Sequence, residues 1–260
     1  MEIQFSKYHG NGNDFVIIDN RKKNLCLTQK QIEKICNRRF GIGADGLILI
    51  EPSKENDFYM TYYNSNGLIG SMCGNGGRCA SAFVATLIEE KKDFSFEASD
   101  GLHLSSIVSS NDHTSIVRLK MIDCSFPTAN GKGYFIDTGS PHHIQYVKDL
   151  NHYKVFEEGR KIRYSELYPN GSNINFVEKQ NNKIHCRTYE RGVEKETLSC
   201  GTGVTAVALT QAFLEKKEIP IQIHAIGGDF IISYTKTENG FKDVYLEGPA
   251  SFVFCGKITL

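Results

Sequence analysis

Two cysteines stand in a setting that could support proton-transfer chemistry. Cys73 and Cys200 are each followed by a glycine-rich turn and then by a run of apolar residues that predicts a helix. The first turn of a helix leaves backbone N–H groups unpaired and carries partial positive charge. A thiol placed there ionises more readily than a free cysteine, and the same N–H groups can bind a carboxylate. Each turn therefore offers a base and an anion-binding site side by side.

Two such turns facing one another predict a specific type of reaction. Inversion of an α-carbon removes a proton from one face and delivers a proton to the other, so two groups are needed. A thiolate and a thiol could divide these steps between Cys73 and Cys200. Oriented N–H donors around the α-carboxylate would stabilise the developing carbanion. No segment is clearly typical of a pyridoxal-phosphate site, so we expect an amino-acid epimerase or racemase that uses no cofactor.

Cysteine pairs can also form disulfides or bind zinc. A structural disulfide is rare in cytosolic proteins. Zinc could be held with His142 and His143, but no second cysteine stands at C-x₂-C spacing, so the sequence predicts no metal site. The remaining cysteines are interpreted as inert buried thiols, which pack as small apolar residues. They are Cys26, Cys36, Cys79, Cys124, Cys186 and Cys255.

The charge balance and hydropathy argue against several classes of protein. The chain has 260 residues, with 30 Lys plus Arg against 30 Asp plus Glu. Because there is no basic surplus, no nucleic-acid partner is predicted. The N-terminus lacks a basic stretch followed by an apolar one, and apolar runs such as residues 15–18 are far shorter than the roughly 20 residues of a membrane helix. We therefore expect a cytoplasmic protein with no membrane partner.

Short runs of β-branched and aromatic residues predict that most of the chain forms strands. The predicted strands cover residues 3–5, 15–18, 58–63, 102–108, 116–121, 176–177, 184–189, 230–234, 244–246 and 252–254. One amphipathic helix begins at a Thr28–Gln31 capping box and is expected to end at Gly41. Two further helices, over residues 78–90 and 204–217, are apolar on nearly all sides, which is typical of a helix surrounded by protein.

The two apolar helices belong to an internal repeat. Cys200 lies 127 residues after Cys73 (200 − 73), and the glycines that follow each cysteine keep this offset. The alternating apolar residues at 94–98 match those at 221–225 at the same offset. A match over turn, helix and strand indicates a duplicated unit. A helix with an apolar circumference needs sheet on several sides, so each unit is expected to wrap a sheet around its helix.

The repeat predicts an α+β fold of two pseudo-symmetric halves. Each half is expected to be a curved, mostly antiparallel sheet or barrel wrapped around a central helix. Residues 1–120 with 249–260 would form the half that carries Cys73, because the final strand returns to complete it. Residues 121–248 would form the half that carries Cys200. We expect the active site in the cleft between the halves, and an exposed sheet edge could pair two copies as a homodimer.

Six segments of the sequence resemble motifs of the diaminopimelate epimerase family. They are residues 5–15 (FSKYHGNGNDF), 39–46 (RFGIGADG), 72–79 (MCGNGGRC), 189–192 (YERG), 198–203 (LSCGTG) and 256–260 (GKITL). The third and fifth segments are similar to the two catalytic motifs of the family. Taken in this order, the motifs are highly specific, and they extend from near the start of the chain to its last residue.

The resemblance implies an activity and a set of site residues. The activity is the interconversion of LL- and meso-2,6-diaminopimelate, a small-molecule substrate on the route to lysine and peptidoglycan, without a cofactor. Cys73 and Cys200 would be the acid/base pair. Glu190 would support Cys200 or bind a substrate amine. The residues that match substrate contacts are Asn11, Asn64, Gly74, Asn75, Asn173, Glu190, Arg191, Gly201 and Thr202.

His142 has two interpretations. It matches a family histidine that assists the first cysteine, or it is a loop histidine bonded to the backbone.

Two positions depart from the family pattern. Ser140 stands where many members have Asn, and Gly46 stands where many have Gln. Ser140 is shorter and has no amide donor, Gly46 leaves only backbone for a contact, and neither change affects the cysteine pair.

Two alternatives to this function remain. A proline or hydroxyproline racemase also places Cys-Gly turns at two helix starts, although residues 10–15 (GNGNDF) and the pair Glu190–Arg191 favour the diaminopimelate enzyme. A non-catalytic amino-acid-binding protein or thiol redox switch would carry the same turns without proton transfer. Hydrogen exchange at the substrate α-carbon separates these alternatives.

Overall fold

The chain folds into two compact units. A computed structural model describes residues 2–22, 24–70, 72–88, 90–215 and 220–260. The first unit contains Met1–Leu119 and Gly248–Leu260, and the second contains Lys120–Glu247. The C-terminal segment therefore returns to the first unit after the second is complete.

Strands make up most of both units. In the described residues they are, in chain order, β1 (Glu2–Gly10), β2 (Asn13–Asp19), β3 (Gly46–Glu51), β4 (Phe58–Asn64), β5 (Asp93–Ala98), β6 (Gly101–Ser110), β7 (Thr114–Lys120), β8 (Cys124–Ser125), β9 (Thr128–Asn130), β10 (Gly133–Asp137), β11 (Pro141–Tyr146), β12 (Asn173–Gln180), β13 (Lys183–Glu190), β14 (Lys195–Thr197), β15 (Ile221–Ala225), β16 (Gly228–Lys236) and β17 (Gly240–Thr259). The helices are α1 (Gln29–Cys36), α2 (Gly74–Ala85), α3 (Val155–Arg163) and α4 (Gly201–Glu215), with a 3₁₀ turn at Leu150–His152. Within the described ranges, no helix combines the length and the apolar character needed to cross a membrane.

The strands of the first unit form a closed ring. Consecutive strands from β1 to β7 pair in order, and β17 pairs with both β7 and β1. The pairs β2–β3 and β4–β5 are parallel and the others are antiparallel. Helix α2 contacts five of these strands, and its residues from Asn75 to Val84 are all buried. An eight-stranded barrel therefore surrounds the helix, as its apolar circumference predicts.

The second unit repeats this order of elements. Strands β10, β11, β12, β13, β15, β16 and the first part of β17 pair in sequence, with β11–β12 and β13–β15 parallel. Strand β8 pairs with the start of β17, and β9 pairs with β10. Helix α4 is buried over most of its length. It starts 127 residues after α2 (201 − 74), and β16 starts 127 residues after β6 (228 − 101). The predicted α+β fold of two repeated units, each with a curved sheet or barrel around a central helix, is confirmed.

The helix boundaries differ from the prediction. The Thr28–Gln31 capping box is present, but α1 ends at Cys36 with Asn37 as its C-cap, and not at Gly41. Helices α2 and α4 begin before the predicted starts at residues 78 and 204. The glycine-rich turns form the first turn of each helix, and the low helix propensity of glycine hides this in the sequence. Residues 89, 216 and 217 of the predicted helices lie outside the described residues.

Candidate active site

A hairpin turn brings Asn11 next to the start of α2. Gly10 pairs with Asn13, so Asn11 and Gly12 form a two-residue turn in which both φ angles are positive, 51° and 86°. Asn-Gly is the sequence that type I′ hairpin turns prefer, because both central residues need positive φ. Asn11 is buried, and its Oδ1 accepts a hydrogen bond from Nη2 of Arg78 at 2.7 Å.

A buried arginine anchors the first turn of α2. Arg78 is 0 % exposed. Besides Asn11, its guanidinium donates to Oδ1 of Asn75 at 2.9 Å and to the carbonyl of Gly74 at 3.3 Å. Burial lowers the pKa of Arg78 to about 10, so the side chain is charged at neutral pH. This charge interacts favourably with a thiolate at Cys73.

Cys73 is the N-cap residue of α2. Its backbone is extended, with φ −104° and ψ 128°, and its carbonyl accepts from the amide of Gly77 at 2.8 Å. Its Sγ lies 3.5 Å from Oδ1 of Asn13. Asn13 donates through Nδ2 to the Asp45 carboxylate at 2.8 Å, which turns its Oδ1 towards the sulfur. Asn13 can therefore accept the S–H proton when Cys73 is a thiol.

Cys200 occupies the equivalent position at the start of α4. Its carbonyl accepts from the amide of Val204 at 2.9 Å, which begins the helix. Its Sγ lies 3.5 Å from Oγ1 of Thr202. Cys200 is nearly buried, at 9 % exposure. A hydroxyl therefore stands beside this sulfur where an amide oxygen stands beside Cys73.

His142 lies on β11 and is completely buried. Its Nε2 is 2.9 Å from Oγ1 of Thr202, and its Nδ1 is 3.1 Å from Nδ2 of Asn175. The interpretation as a loop histidine bonded to the backbone is wrong, since both ring nitrogens meet side chains. Burial, with a smaller effect from the charge of Arg191, lowers the pKa of His142 to about 3. The ring is therefore neutral at physiological pH and contacts the residue beside Cys200.

The buried neutral ring of His142 predicts a pH-dependent stability. Its folded pKa is below the unfolded value, so the unfolded chain binds the proton first and acid favours unfolding. The contribution of the neutral His142 ring to the free energy of unfolding is complete above pH ~6.5. Below that it is lost at about 1.4 kcal/mol of unfolding free energy per pH unit, until the folded pKa is reached. Urea unfolding at pH values from about 7 to about 5 measures this slope. His142→Gln, which cannot titrate, should show a shallower slope; equal slopes would contradict the assignment.

Asn173 organises the loop that carries Ser140. Its Nδ2 donates to Oγ of Ser140 at 2.9 Å and to the carbonyl of Pro141 at 3.1 Å. Its Oδ1 accepts from the backbone amide of Arg191 at 2.9 Å, which holds the backbone just after β13 ends at Glu190. The serine that departs from the family pattern thus accepts a hydrogen bond from a predicted substrate-binding residue.

Tyr62 explains the glycine at position 46. Gly46 pairs with Asn64 across β3 and β4, and a Cβ on Gly46 would lie 2.4 Å from the Tyr62 ring. The tyrosine Oη donates to Oδ1 of Asn64 at 3.2 Å. The ring therefore fills the space that a side chain at position 46 would need, and it holds the amide of Asn64.

The glycines after the cysteines have a packing reason as well as the predicted one of ligand access. A Cβ on Gly76 would meet the side chains of Met60 and Ile48 at 3.2 and 3.3 Å. A Cβ on Gly203 would lie 2.6 Å from Oδ1 of Asn175. A Cβ on Gly74 would by contrast meet only Leu119, at the ordinary contact distance of 3.9 Å, so packing does not explain this glycine.

The six other cysteines divide by burial. Cys36, Cys79 and Cys186 are buried, and burial raises the pKa of these thiols to about 11, 12 and 12. Cys124 is half-buried, with its pKa raised to about 11. The prediction of burial is wrong for Cys26 and Cys255, which are exposed. Cys26 precedes α1 outside any regular element, and Cys255 follows two other exposed residues of β17, so neither position has a core-facing side.

The structure groups the predicted residues by unit. In the first unit Asn11 and Asn75 converge on Arg78 beside Gly74 and Cys73, and Asn64 ends β4. In the second unit Thr202 joins His142 to Cys200, next to Gly201, and Asn173 holds the backbone of Arg191 after Glu190. Several residues that contact these groups were not predicted. They include Asn13, Tyr62, Arg78, Thr138 and Asn175.

Comparison with solved structures shows the same fold in distant proteins. A PhzF-family phenazine biosynthesis protein from Bacillus anthracis matches with a TM-score of 0.76 at 17 % identity, covering 100 % of both chains. A probable proline racemase from Agrobacterium radiobacter matches with a TM-score of 0.72 at 14 % identity, covering 99 % of this chain and 93 % of that one. A hydroxyproline epimerase from Agrobacterium vitis matches with a TM-score of 0.71 at 13 % identity, covering 99 % of this chain and 91 % of that one. At these identities the similarity concerns the fold alone.

Comparison of sequences identifies the family. The profile of diaminopimelate epimerase matches residues 5–122 and 134–253. The diaminopimelate epimerase of Flavobacterium psychrophilum is 47 % identical over 260 residues, covering 97 % of this chain and 98 % of that protein. The Chlorobaculum tepidum enzyme of the same name is 42 % identical, covering 96 % and 99 %. Because both cysteine motifs lie inside the matched residues, this chain belongs to the diaminopimelate epimerase family and is an isomerase with an epimerase role.

Proposed function

We propose that the chain interconverts LL- and meso-2,6-diaminopimelate in lysine and peptidoglycan biosynthesis, with Cys73 and Cys200 as acid and base. The observation that carries this proposal is the equivalent placement of the two cysteines. Each immediately precedes a buried helix that starts with glycine, at the same offset in two repeated units. The family match covers both positions. An inert structural role would not need two matched thiols at helix N-termini.

The proposed reaction divides proton transfer between the two sulfurs. One thiolate removes the α-proton from one face of the substrate, and the other cysteine delivers its S–H proton to the opposite face. The sulfur that has taken a proton and the sulfur that has lost one exchange roles in the reverse direction. The reaction therefore needs no net proton and no change in oxidation state.

The helix starts supply the electrostatic support for this step. The backbone amides at Gly74–Asn75 and Gly201–Thr202 would bind the α-carboxylate, where helix dipoles favour negative charge. Donors fixed around the carboxylate stabilise the charge that develops when the α-proton leaves. Arg78, held beneath the first of these turns, adds a buried positive charge next to Cys73.

The remaining predicted residues suit a substrate with two zwitterionic ends. Arg191 could pair with the distal carboxylate through two parallel hydrogen bonds. Glu190 could accept from an amine of the substrate or from Cys200. The amides of Asn11, Asn64 and Asn173 are each fixed by hydrogen bonds within the protein, which would preorganise them for contact.

Deuterium incorporation in heavy water tests the proposal. With LL-diaminopimelate we expect meso product carrying deuterium at the inverted α-carbon, because the proton delivered comes from a solvent-exchanged thiol. L-proline, offered in parallel, should be neither exchanged nor racemised. Activity on proline alone would replace the proposal with a proline-racemase function. Binding of diaminopimelate without α-hydrogen exchange would indicate a non-catalytic binding protein.

A further inference from the structure

A chain of buried hydrogen bonds continues from His142 into the core of the second unit. Asn175, on β12, is 0 % exposed. Its Nδ2 lies 3.0 Å from the carbonyl of His143 and 3.1 Å from Nδ1 of His142. Its Oδ1 accepts from Oγ1 of Thr188 at 2.9 Å. All the polar atoms of this amide therefore have partners within the unit.

The carbonyl of His143 fixes the orientation of the Asn175 amide. A carbonyl can only accept, so the nitrogen of Asn175 must face it. A reversed amide would place two acceptor oxygens about as close as a hydrogen bond, with no proton between them.

The amide orientation determines the tautomer of His142. One N–H of Asn175 donates to the His143 carbonyl, and the other points at Nδ1 of His142. Nδ1 must therefore accept, and the neutral ring carries its proton on Nε2. That N–H donates to Oγ1 of Thr202 at 2.9 Å.

The tautomer in turn determines what the Thr202 hydroxyl can do. Because its oxygen accepts from His142, its own proton is available for another acceptor. Sγ of Cys200 lies 3.5 Å away, within the range of a hydrogen bond to sulfur. A hydroxyl that donates to a thiolate stabilises the charged sulfur.

We infer that Asn175 is a positioning residue that holds His142 as the Nε2–H tautomer, so that the Thr202 hydroxyl donates to the Cys200 thiolate. This deepens the role proposed for Cys200 and rests on the proposed function for its catalytic meaning. His142 takes part as a neutral relay and exchanges no proton with the substrate. In the part of the chain that the structure describes, the charged and titratable groups around the relay include Arg191, whose charge acts on His142, and Cys186, which contacts Thr188 at 3.7 Å.

Nuclear magnetic resonance of the full chain tests the tautomer without any substitution. With ¹⁵N-labelled histidine, the His142 signals are identified by their loss in His142→Gln. We expect a neutral ring with the proton on Nε2 that does not titrate between pH about 5 and about 9, whereas an ordinary histidine would titrate near 6.5. A proton on Nδ1, or titration within that range, would overturn the inference.

Alkylation of Cys200 tests whether the Thr202 hydroxyl donates a hydrogen bond to the Cys200 thiolate. Thr202→Val keeps the size of the side chain and removes the hydroxyl, so at neutral pH we expect iodoacetamide to modify Cys200 about tenfold more slowly or worse. Thr202→Ser should restore the rate. Thr205→Val is the matched control, because among the described residues that buried hydroxyl bonds to the Gly201 carbonyl of its own helix and not to Cys200.

The same samples separate the relay from the catalytic proposal. Peptide mass spectrometry reports Cys73 and Cys200 individually, and Cys73 should react at the wild-type rate in all three variants. An unchanged Cys200 rate in Thr202→Val, or an equal fall in Thr205→Val, would overturn the relay. If instead the alkylation results hold but the wild-type chain does not epimerise diaminopimelate, or Cys200→Ala epimerises it as well as the wild type, then the proposed function or its acid/base assignment fails and the relay stands.

Discussion

Replacing either Cys73 or Cys200 with alanine is expected to abolish epimerisation of LL-diaminopimelate, lowering kcat/KM by about 10³-fold or more. Each cysteine serves one face of the α-carbon, so the remaining sulfur cannot complete an inversion. The double variant should be little worse than either single variant, because groups that act as a unit are not additive. Stereospecific assay of the meso product measures the loss.

Exchange without inversion distinguishes loss of a base from loss of the fold. A variant that keeps one thiolate can still remove a proton from one face and return deuterium to that face. Cys73→Ala and Cys200→Ala should therefore each exchange the α-hydrogen of only one stereoisomer, and the two variants should prefer opposite isomers. Exchange of both isomers by a single-cysteine variant would contradict the division of roles.

Two other cysteines provide matched controls for these variants. Cys255 is exposed, so Cys255→Ala should retain wild-type activity. Cys79 is buried within α2 with its pKa raised to about 12, so Cys79→Ala should lower stability by leaving a small cavity while keeping the chemistry. A comparable loss of epimerisation in Cys255→Ala would show that the effect is not specific to the helix starts.

The sequence predicted the features that depend on local pattern. The capping box at Thr28 is an interaction over three residues, and it is present as expected. The two central helices were recognised because a helix surrounded by strands must be apolar on every side. The repeat followed from the same feature, since the offset between Cys73 and Cys200 is also the offset between the helix starts.

Features that depend on distant partners were not predictable in the same way. Asn175 interrupts an apolar strand, and nothing in the sequence shows that its amide would meet His142 from the neighbouring strand. Strands β9 and β10 and helix α3 were not predicted either. The two strands lack the strict alternation of apolar residues that marks a half-buried strand, and the helix has only nine residues. Arg78 did carry a signal, because it was the lone charge at the start of an apolar helix. Its role as an anchor could not be inferred, because its partner Asn11 lies 67 residues away in the chain.

Substituting Arg78 is expected to have the second-largest effect, on both stability and catalysis. Arg78→Met keeps much of the buried volume but removes every donor, which leaves Oδ1 of Asn11 and Oδ1 of Asn75 without this partner. Losing these two buried hydrogen bonds to a charged donor should cost about 2–5 kcal/mol of unfolding free energy. The first turn of α2 and the Asn11 hairpin would lose their common anchor, so kcat/KM should fall about 10²-fold from misplacement alone.

The charge and the fork geometry of Arg78 make separate contributions, and alkylation of Cys73 distinguishes them. In Arg78→Met the positive charge beside the sulfur is lost, so the Cys73 thiolate is less favoured and should react more slowly while Cys200 is unaffected. Arg78→Lys should not fully rescue the variant, because an ammonium cannot also replace the guanidinium bonds to the carbonyls of Gly74 and Pro249, and a buried lysine loses its proton more readily. Arg160→Met, at an exposed arginine of α3, is the control and should change stability by no more than about 0.5 kcal/mol. If Arg78→Met unfolds at the wild-type urea concentration and Cys73 keeps its reactivity, then neither the anchor nor the charge acts as the hydrogen bonds indicate.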